Sequence, residues 1–213
     1  MSCKTEKKKE SIKEVEEISV LEKVANAHGF ENWKNVTQIG FTFNVDRDST
    51  HFERSWIWKP KTNDVTYISG SDSLTYNRKS MDSIAYKTNG GFINDRYWLL
   101  APFNLVWDAA NFEYVHTKNE MAPIAQKPMN KLTIVYNSEG GYTPGDAYDF
   151  YFEDDYLIKE WVFRKANQAE PSMTTTWEGY VNHNGFLFAM DHKKPEENFN
   201  LFFDRIQTQV EVE

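Results

Sequence analysis

The side chains able to do chemistry are few and scattered. Five histidines stand at positions 28, 51, 116, 183 and 192, and no two share the HExxH or other short spacing that sets two imidazoles on one metal. Each is therefore expected to be a surface residue or a satisfied polar one. There is no GxSxG elbow, no phosphate-cradling glycine loop and no GxGxxG. Glu153-Asp154-Asp155 lacks the alternating spacing of a calcium loop and reads as a solvated turn. Hydrolysis by two carboxylates needs acids paired across a cleft, and spacing along the chain does not reveal such a pair. A hydrolase using Asp95 or another carboxylate is the minor alternative. The expectation is a protein that is not an enzyme and has no catalytic residue, metal or cofactor.

Two positions hold more specific chemistry. Asp95-Arg96 precedes Tyr97-Trp98 in an apolar segment, where a carboxylate could hold the arginine and present it to an anionic head group. A structural ion pair is the plainer reading and the one favoured. Cys3 follows Met1-Ser2 and precedes a Lys/Glu-rich stretch, as the lipidated cysteine does at the start of a mature bacterial lipoprotein. An incidental thiol fits the residues equally well, since a lone cysteine forms no internal disulfide.

The remaining signal is aromatic. Phe41 and Phe43, Trp56 and Trp58, Tyr148, Phe150 and Phe152, Trp161 and Phe163, and Phe186 and Phe188 each recur at every second residue. Side chains alternate faces along a strand, so this spacing lines one face of a sheet with large apolar groups. Such a face is either a packed core or the wall of a pocket for a hydrophobic small molecule or lipid. If it is a pocket, its candidate ligand-binding residues are Phe41, Phe43, Trp56, Trp58, Trp98, Phe150, Phe152, Trp161 and Trp177.

Elements must position these residues. Residues 12 to 28 carry apolar positions Val15, Ile18, Leu21, Val24 and Ala25 at helical spacing, and Gly29 is placed to end that helix. Period-two patterning then predicts strands near 35–46, 51–59, 64–70, 73–78, 83–88, 112–117, 131–138, 146–153, 156–166, 172–182, 185–192 and 199–210. Residues 90 to 110 break the rhythm and predict one or two short helices that pack Trp98 and Trp107 on the sheet. Tyr142-Thr143-Pro144-Gly145-Asp146 predicts a type II turn. The expected fold is mainly β, with residues 1–13 a flexible polar tether and 14–213 one domain.

Charge excludes one class of partner. Among 213 residues the net charge is −8, and residues 1 to 23 hold six lysines against six glutamates, so the body carries the whole excess. A nucleic-acid partner is not expected. No apolar run is long enough to span a bilayer, so membrane contact would come through an anchor at Cys3.

Several segments together resemble a known family: His28-Gly29 with Trp33, Asn94-Asp95-Arg96-Tyr97-Trp98-Leu99-Leu100-Ala101-Pro102-Phe103, Tyr142-Thr143-Pro144-Gly145-Asp146 with Tyr148, and Trp161 followed by Trp177-Glu178-Gly179-Tyr180. Over residues 15 to 192 the chain resembles uncharacterised bacterial envelope lipoproteins whose architecture is similar to the periplasmic lipoprotein carrier and the outer-membrane lipoprotein receptor. The resemblance implies a curled antiparallel half-barrel with helices, one N-terminal and others near 90–110, over its concave face. It also implies a lipidated Cys3 and a periplasmic or surface location in the cell envelope. It implies no reaction.

Overall fold

The computed structural model describes residues 18–211. Cys3, the tether 1–13 and the predicted start of the first helix lie outside the described residues. Helix α1 (Val20–Ala27) begins at a capping box. The Ser19 hydroxyl accepts from the Glu22 amide at 3.3 Å, and the Glu22 carboxylate accepts from the Ser19 amide at 2.9 Å, so two otherwise unpaired donors are satisfied. Ile18, counted above in the helical stripe, precedes this cap and is exposed. Leu21, Val24 and Ala25 form the buried face.

Gly29 ends the helix in the left-handed conformation, φ +93°, as its position predicts. Shape adds a second demand, because a Cβ there would lie 2.1 Å from the Gly185 carbonyl oxygen. The next turn, Phe30–Asn35, delivers Trp33 to the interior.

Four strands follow: β1 (Val36–Arg47), β2 (Thr50–Lys59), β3 (Asp64–Ser69) and β4 (Asp72–Asn77). Helix α2 (Ser83–Trp107) then leads to β5 (Phe112–Met121), β6 (Pro128–Tyr136), β7 (Ala147–Phe152), β8 (Ile158–Arg164) and β9 (Met173–Thr176). A small hairpin of β10 (Val181–His183) and β11 (Phe186–Phe188) precedes β12 (Asp191–Lys194) and β13 (Phe199–Val210). Pairing is antiparallel in the orders β12-β13-β1-β2-β3-β4 and β5-β6-β7-β8-β9. Beyond β9, Glu178 and Asp191 exchange backbone hydrogen bonds of 3.1 and 3.2 Å, so β9 and β12 run side by side and the two sheets continue each other. Neither sheet closes into a barrel, and α2 spans the interval between β4 and β5.

Two sequence expectations are corrected. The strand predicted at 83–88 is the start of α2. Ile84 and Tyr86 mimic a strand alternation, but both are exposed, and Asp82 caps a helix by accepting from the Ala85 amide at 2.8 Å. The helical segment expected at 90–110 is present as part of α2, which starts earlier, at Ser83, and is interrupted at Leu100 (φ −120°, ψ 21°). Pro102 lacks the amide that would bond the Trp98 carbonyl, which accounts for the bend. The strands predicted at 172–182 and 185–192 are each divided, with Gly179 at φ +66° turning the chain between β9 and β10. The type II turn is present: the Asp146 amide donates to the Thr143 carbonyl at 3.1 Å with Gly145 at φ +83°.

Gly90-Gly91, which reads as a turn, lies inside α2 for a packing reason. A Cβ on Gly91 would approach the Arg54 guanidinium to 2.8 Å, whereas one on Gly90 meets nothing within 4 Å. Of the two glycines, only Gly91 lies against Arg54. Gly90→Ala is expected to raise stability by about 0.5–1 kcal/mol, the usual gain in a helix interior, while Gly91→Ala lowers it. Urea unfolding midpoints of the two variants check this, and a gain for both would mean that α2 does not rest on Arg54.

Candidate functional site

Sequence alternation sends the aromatic face inward, and α2 supplies the opposing wall. All nine candidate residues are buried in one apolar cluster, in four local groups. Trp98, Phe150, Trp161 and Trp177 come together, with ring centroids of Trp98 and Trp161 4.3 Å apart and those of Trp161 and Trp177 5.8 Å apart. Trp98 thus packs on the sheet as expected. Trp56 and Trp58 share Phe92, at 5.5 and 5.6 Å, and Phe41 and Phe43 share Phe203, at 5.9 and 5.8 Å. Phe152 stands apart, against Tyr156 and His116. Three cavities of about 720, 660 and 420 Å³ open elsewhere on the surface. Of the nine candidates only Trp177 borders one, the smallest.

Asp95 fastens α2 to β2. It is fully buried and accepts from Arg54 Nε at 2.5 Å, Arg54 Nη2 at 2.7 Å, Trp56 Nε1 at 2.7 Å and Asn94 Nδ2 at 3.0 Å. Four donors saturate its oxygens, so the carboxylate is a structural tie and is ill suited to take a proton as a general base. The ion pair expected here exists, but its cation is Arg54 on β2, not the adjacent Arg96.

Arg96 instead lies over two indoles, with its guanidinium carbon 5.4 Å from the Trp58 ring and 5.4 Å from the Trp107 ring. Among the described residues it has no hydrogen-bond partner and no carboxylate within 4.0 Å, and its Nε is buried without a partner. Burial and the neighbouring Arg78 pull its pKa down to about 10. It remains charged at neutral pH.

A second group of unpartnered atoms lies where β8, β9 and β12 meet. Trp161 Nε1, Thr175 Oγ1, Trp177 Nε1 and both ring nitrogens of His192 are buried without hydrogen-bond partners. Trp161 and Thr175 are register partners, and the His192 ring centroid is 4.5 Å from Trp177 and 5.3 Å from Trp98. His192 therefore departs from the expectation of a surface or satisfied histidine. Its signal was its parity, since it falls on the same alternate positions as Phe186 and Phe188. His28 is also buried but meets the expectation, with Nδ1 donating to the Val24 carbonyl at 2.8 Å and Nε2 3.1 Å from the Tyr180 hydroxyl. No cluster of three or more metal-ligating side chains occurs among the described residues.

Burial lowers the pKa of His192 to about 3 and that of His28 to about 4. Near His192 the Thr176 backbone opposes the shift, and near His28 the Val24 carbonyl opposes it. In the unfolded chain both rings protonate near pH 6.5, so the unfolded state binds more protons below that pH. Stability contributed by the neutral rings is complete above pH 6.5 and falls towards pH 4 for His28 and pH 3 for His192, by up to about 1.4 kcal/mol per unit and per ring. His192→Leu, of similar size, should therefore flatten the acid limb of stability between pH 6.5 and 4 and leave the part due to His28. Urea unfolding at pH 7, 6 and 5 measures the slope, and an unchanged slope would mean that His192 is solvated in the folded state.

No protein-family model matches the sequence. No curated protein matches it either. Solved structures do match in shape. A LolA superfamily protein from Nitrosomonas europaea superposes with a TM-score of 0.53 at 10% identity, covering 91% of this chain and 93% of that one. A DUF1329 family protein from Desulfovibrio piger superposes with a TM-score of 0.50 at 10% identity, again covering 91% and 93%. The fold is LolA-like, as the sequence resemblance implied.

Proposed function

We propose that the chain is a non-enzymatic protein of the bacterial cell envelope that takes an acyl chain or lipid between its curved sheet and α2. The observation that carries this reading is the group of unpartnered polar atoms on Trp161, Thr175, Trp177 and His192 inside an otherwise apolar interior. Each such atom costs about 1–3 kcal/mol if left unsatisfied. A core selected only for packing would have no use for four of these side chains together. The indole N–H groups suit the ester or amide carbonyls at the root of an acyl chain, and the aromatic faces suit the chain itself. The LolA-like fold supports the reading, as does the sequence resemblance, which further supports attachment to a membrane through Cys3.

One observation favours a second reading, an interaction module with a filled core. All nine candidate side chains are at most 8% exposed, and their rings are in mutual contact. The two readings separate on uptake. The carrier takes up a fluorescent C16 fatty acid saturably, and an unlabelled acid displaces it. Trp177→Phe, which removes an unpartnered donor, weakens that uptake by severalfold while lowering stability far less than Trp98→Ala, for which truncation costs about 3–5 kcal/mol. Absence of saturable uptake, together with a large stability loss for both variants, would favour the filled module. For the anchor, wild-type protein made in its own host is expected in the membrane fraction and Cys3→Ser in the soluble one. Equal distribution would remove the anchor.

A further inference from the structure

We propose that Arg96 recognises an oxyanion at the head of the bound amphiphile, the carboxylate of a fatty acid or the phosphate of a monoacyl phosphate ester. This deepens the carrier reading and rests on it. Two other partly buried arginines meet an acid, Arg54 with Asp95 and Arg164 with Asp149, whereas Arg78 is held by a neutral amide. Arg96 has no acid within 4.0 Å among the described residues, although it is only partly exposed and its Nε is buried. Asp108 is the acid whose field it feels most, but the Oδ2 of that residue already accepts from Asn104 at 2.9 Å and from the Tyr136 hydroxyl at 3.2 Å. Arg78 adds a second positive charge nearby, and it is bonded to the neutral Asn89 side chain. A protein of net charge −8 thus holds an uncompensated positive spot on its interior helix.

The surroundings of the guanidinium are shaped for an amphiphile. Trp58 and Trp107 lie beneath it and continue into Trp33, whose ring centroid is 5.5 Å from Trp58 and 5.0 Å from Trp107. Trp33 in turn meets Phe103 at 5.5 Å. Cation–π contact engages the face of a guanidinium and leaves its in-plane N–H fork free to bind two oxygens of a carboxylate or phosphate. A charge held partly out of water among indoles without a counter-ion is costly, and an arriving oxyanion reduces that cost. The bend at Leu100 falls one turn beyond Arg96, so Arg96 and Trp107 belong to different halves of α2.

The test compares three C16 probes, the fatty acid, the alkyl phosphate and the alcohol, on wild type, Arg96→Gln and Arg96→Lys, with folding checked by thermal melting. A charged hydrogen bond is worth about 1.5–3 kcal/mol, or roughly 10–100-fold. Wild type should therefore bind the acid or the phosphate at least about tenfold tighter than the alcohol. Arg96→Gln should bring both anions down to the alcohol and leave alcohol binding in place, and Arg96→Lys should recover part of the difference. Whichever anion binds tighter names the source of the head group. Equal affinities of wild type for all three probes, or an anion preference that survives in Arg96→Gln, would overturn the proposal and leave Arg96 as a structural staple, with the carrier reading intact. If wild type binds none of the probes, the carrier reading fails and this proposal with it. Should Arg96→Gln not fold, the wild-type ratio of acid to alcohol and its partial retention in Arg96→Lys decide the matter.

Discussion

The burial of one carboxylate constrains everything else in this molecule. Asp95 is fully enclosed, and an ionised carboxylate survives in such a place only when hydrogen bonds and a countercharge replace its water. Arg54 and Trp56 on β2 supply them, which fixes the rotation of α2 about its axis and its height over the sheet. Gly91, one turn earlier, leaves room for the Arg54 guanidinium that Asp95 holds. Once the face bearing Asp95 is committed to β2, Trp98 must turn towards Trp161 on β8 and Arg96 towards Trp58. The helix therefore ties the two sheets together, and the sheets themselves meet along the seam of β9 and β12, where Glu178 pairs with Asp191 and the Lys193 amide donates to Thr176.

The interior so formed is apolar in bulk but not in detail. A close-packed core is expected to satisfy or exclude its polar atoms. Here the inward faces of β8, β9 and β12 present indole and imidazole nitrogens without partners, and α2 presents a cation without an acid. These groups lie on the concave side, between sheet and helix. On the other side most polar residues are paired, Asp149 with Thr133 and Arg164 and Glu160 with the amides of Ile124 and Ala125, although Asn200 Oδ1 has no partner. Trp161, Thr175, Trp177 and His192 thus form the densest group of unpaired polar atoms among the described residues.

Much of the fold was legible because strands write their faces into the sequence at period two. Phe41, Phe43, Trp56, Trp58, Phe150, Phe152 and Trp161 are all buried on that pattern, and Gly29 and Pro144-Gly145 turn the chain where their conformational preferences require. Residues 83 to 91 were not legible for the same kind of reason. Ile84 and Tyr86 alternate like a strand and Gly90-Gly91 looks like a turn, whereas the reason for a glycine at 91 inside a helix, the approach of Arg54, comes from a residue 37 positions away in the chain. The candidate site was half visible. Its apolar walls follow from periodicity, but the pairing of Asp95 with Arg54 rather than Arg96, and the isolation of His192, are tertiary facts with no local signature.

The central claim is that sheet and helix enclose an acyl-bearing molecule. Native mass spectrometry of protein purified from its own host tests it most directly, because the ligand needs no prior identification. The account predicts, beyond the mass of the covalently modified chain, a non-covalent adduct that is shed on activation and whose fragments include a long acyl anion. Protein that flies only as the bare chain, at the gentlest activation and from freshly prepared envelopes, would contradict it.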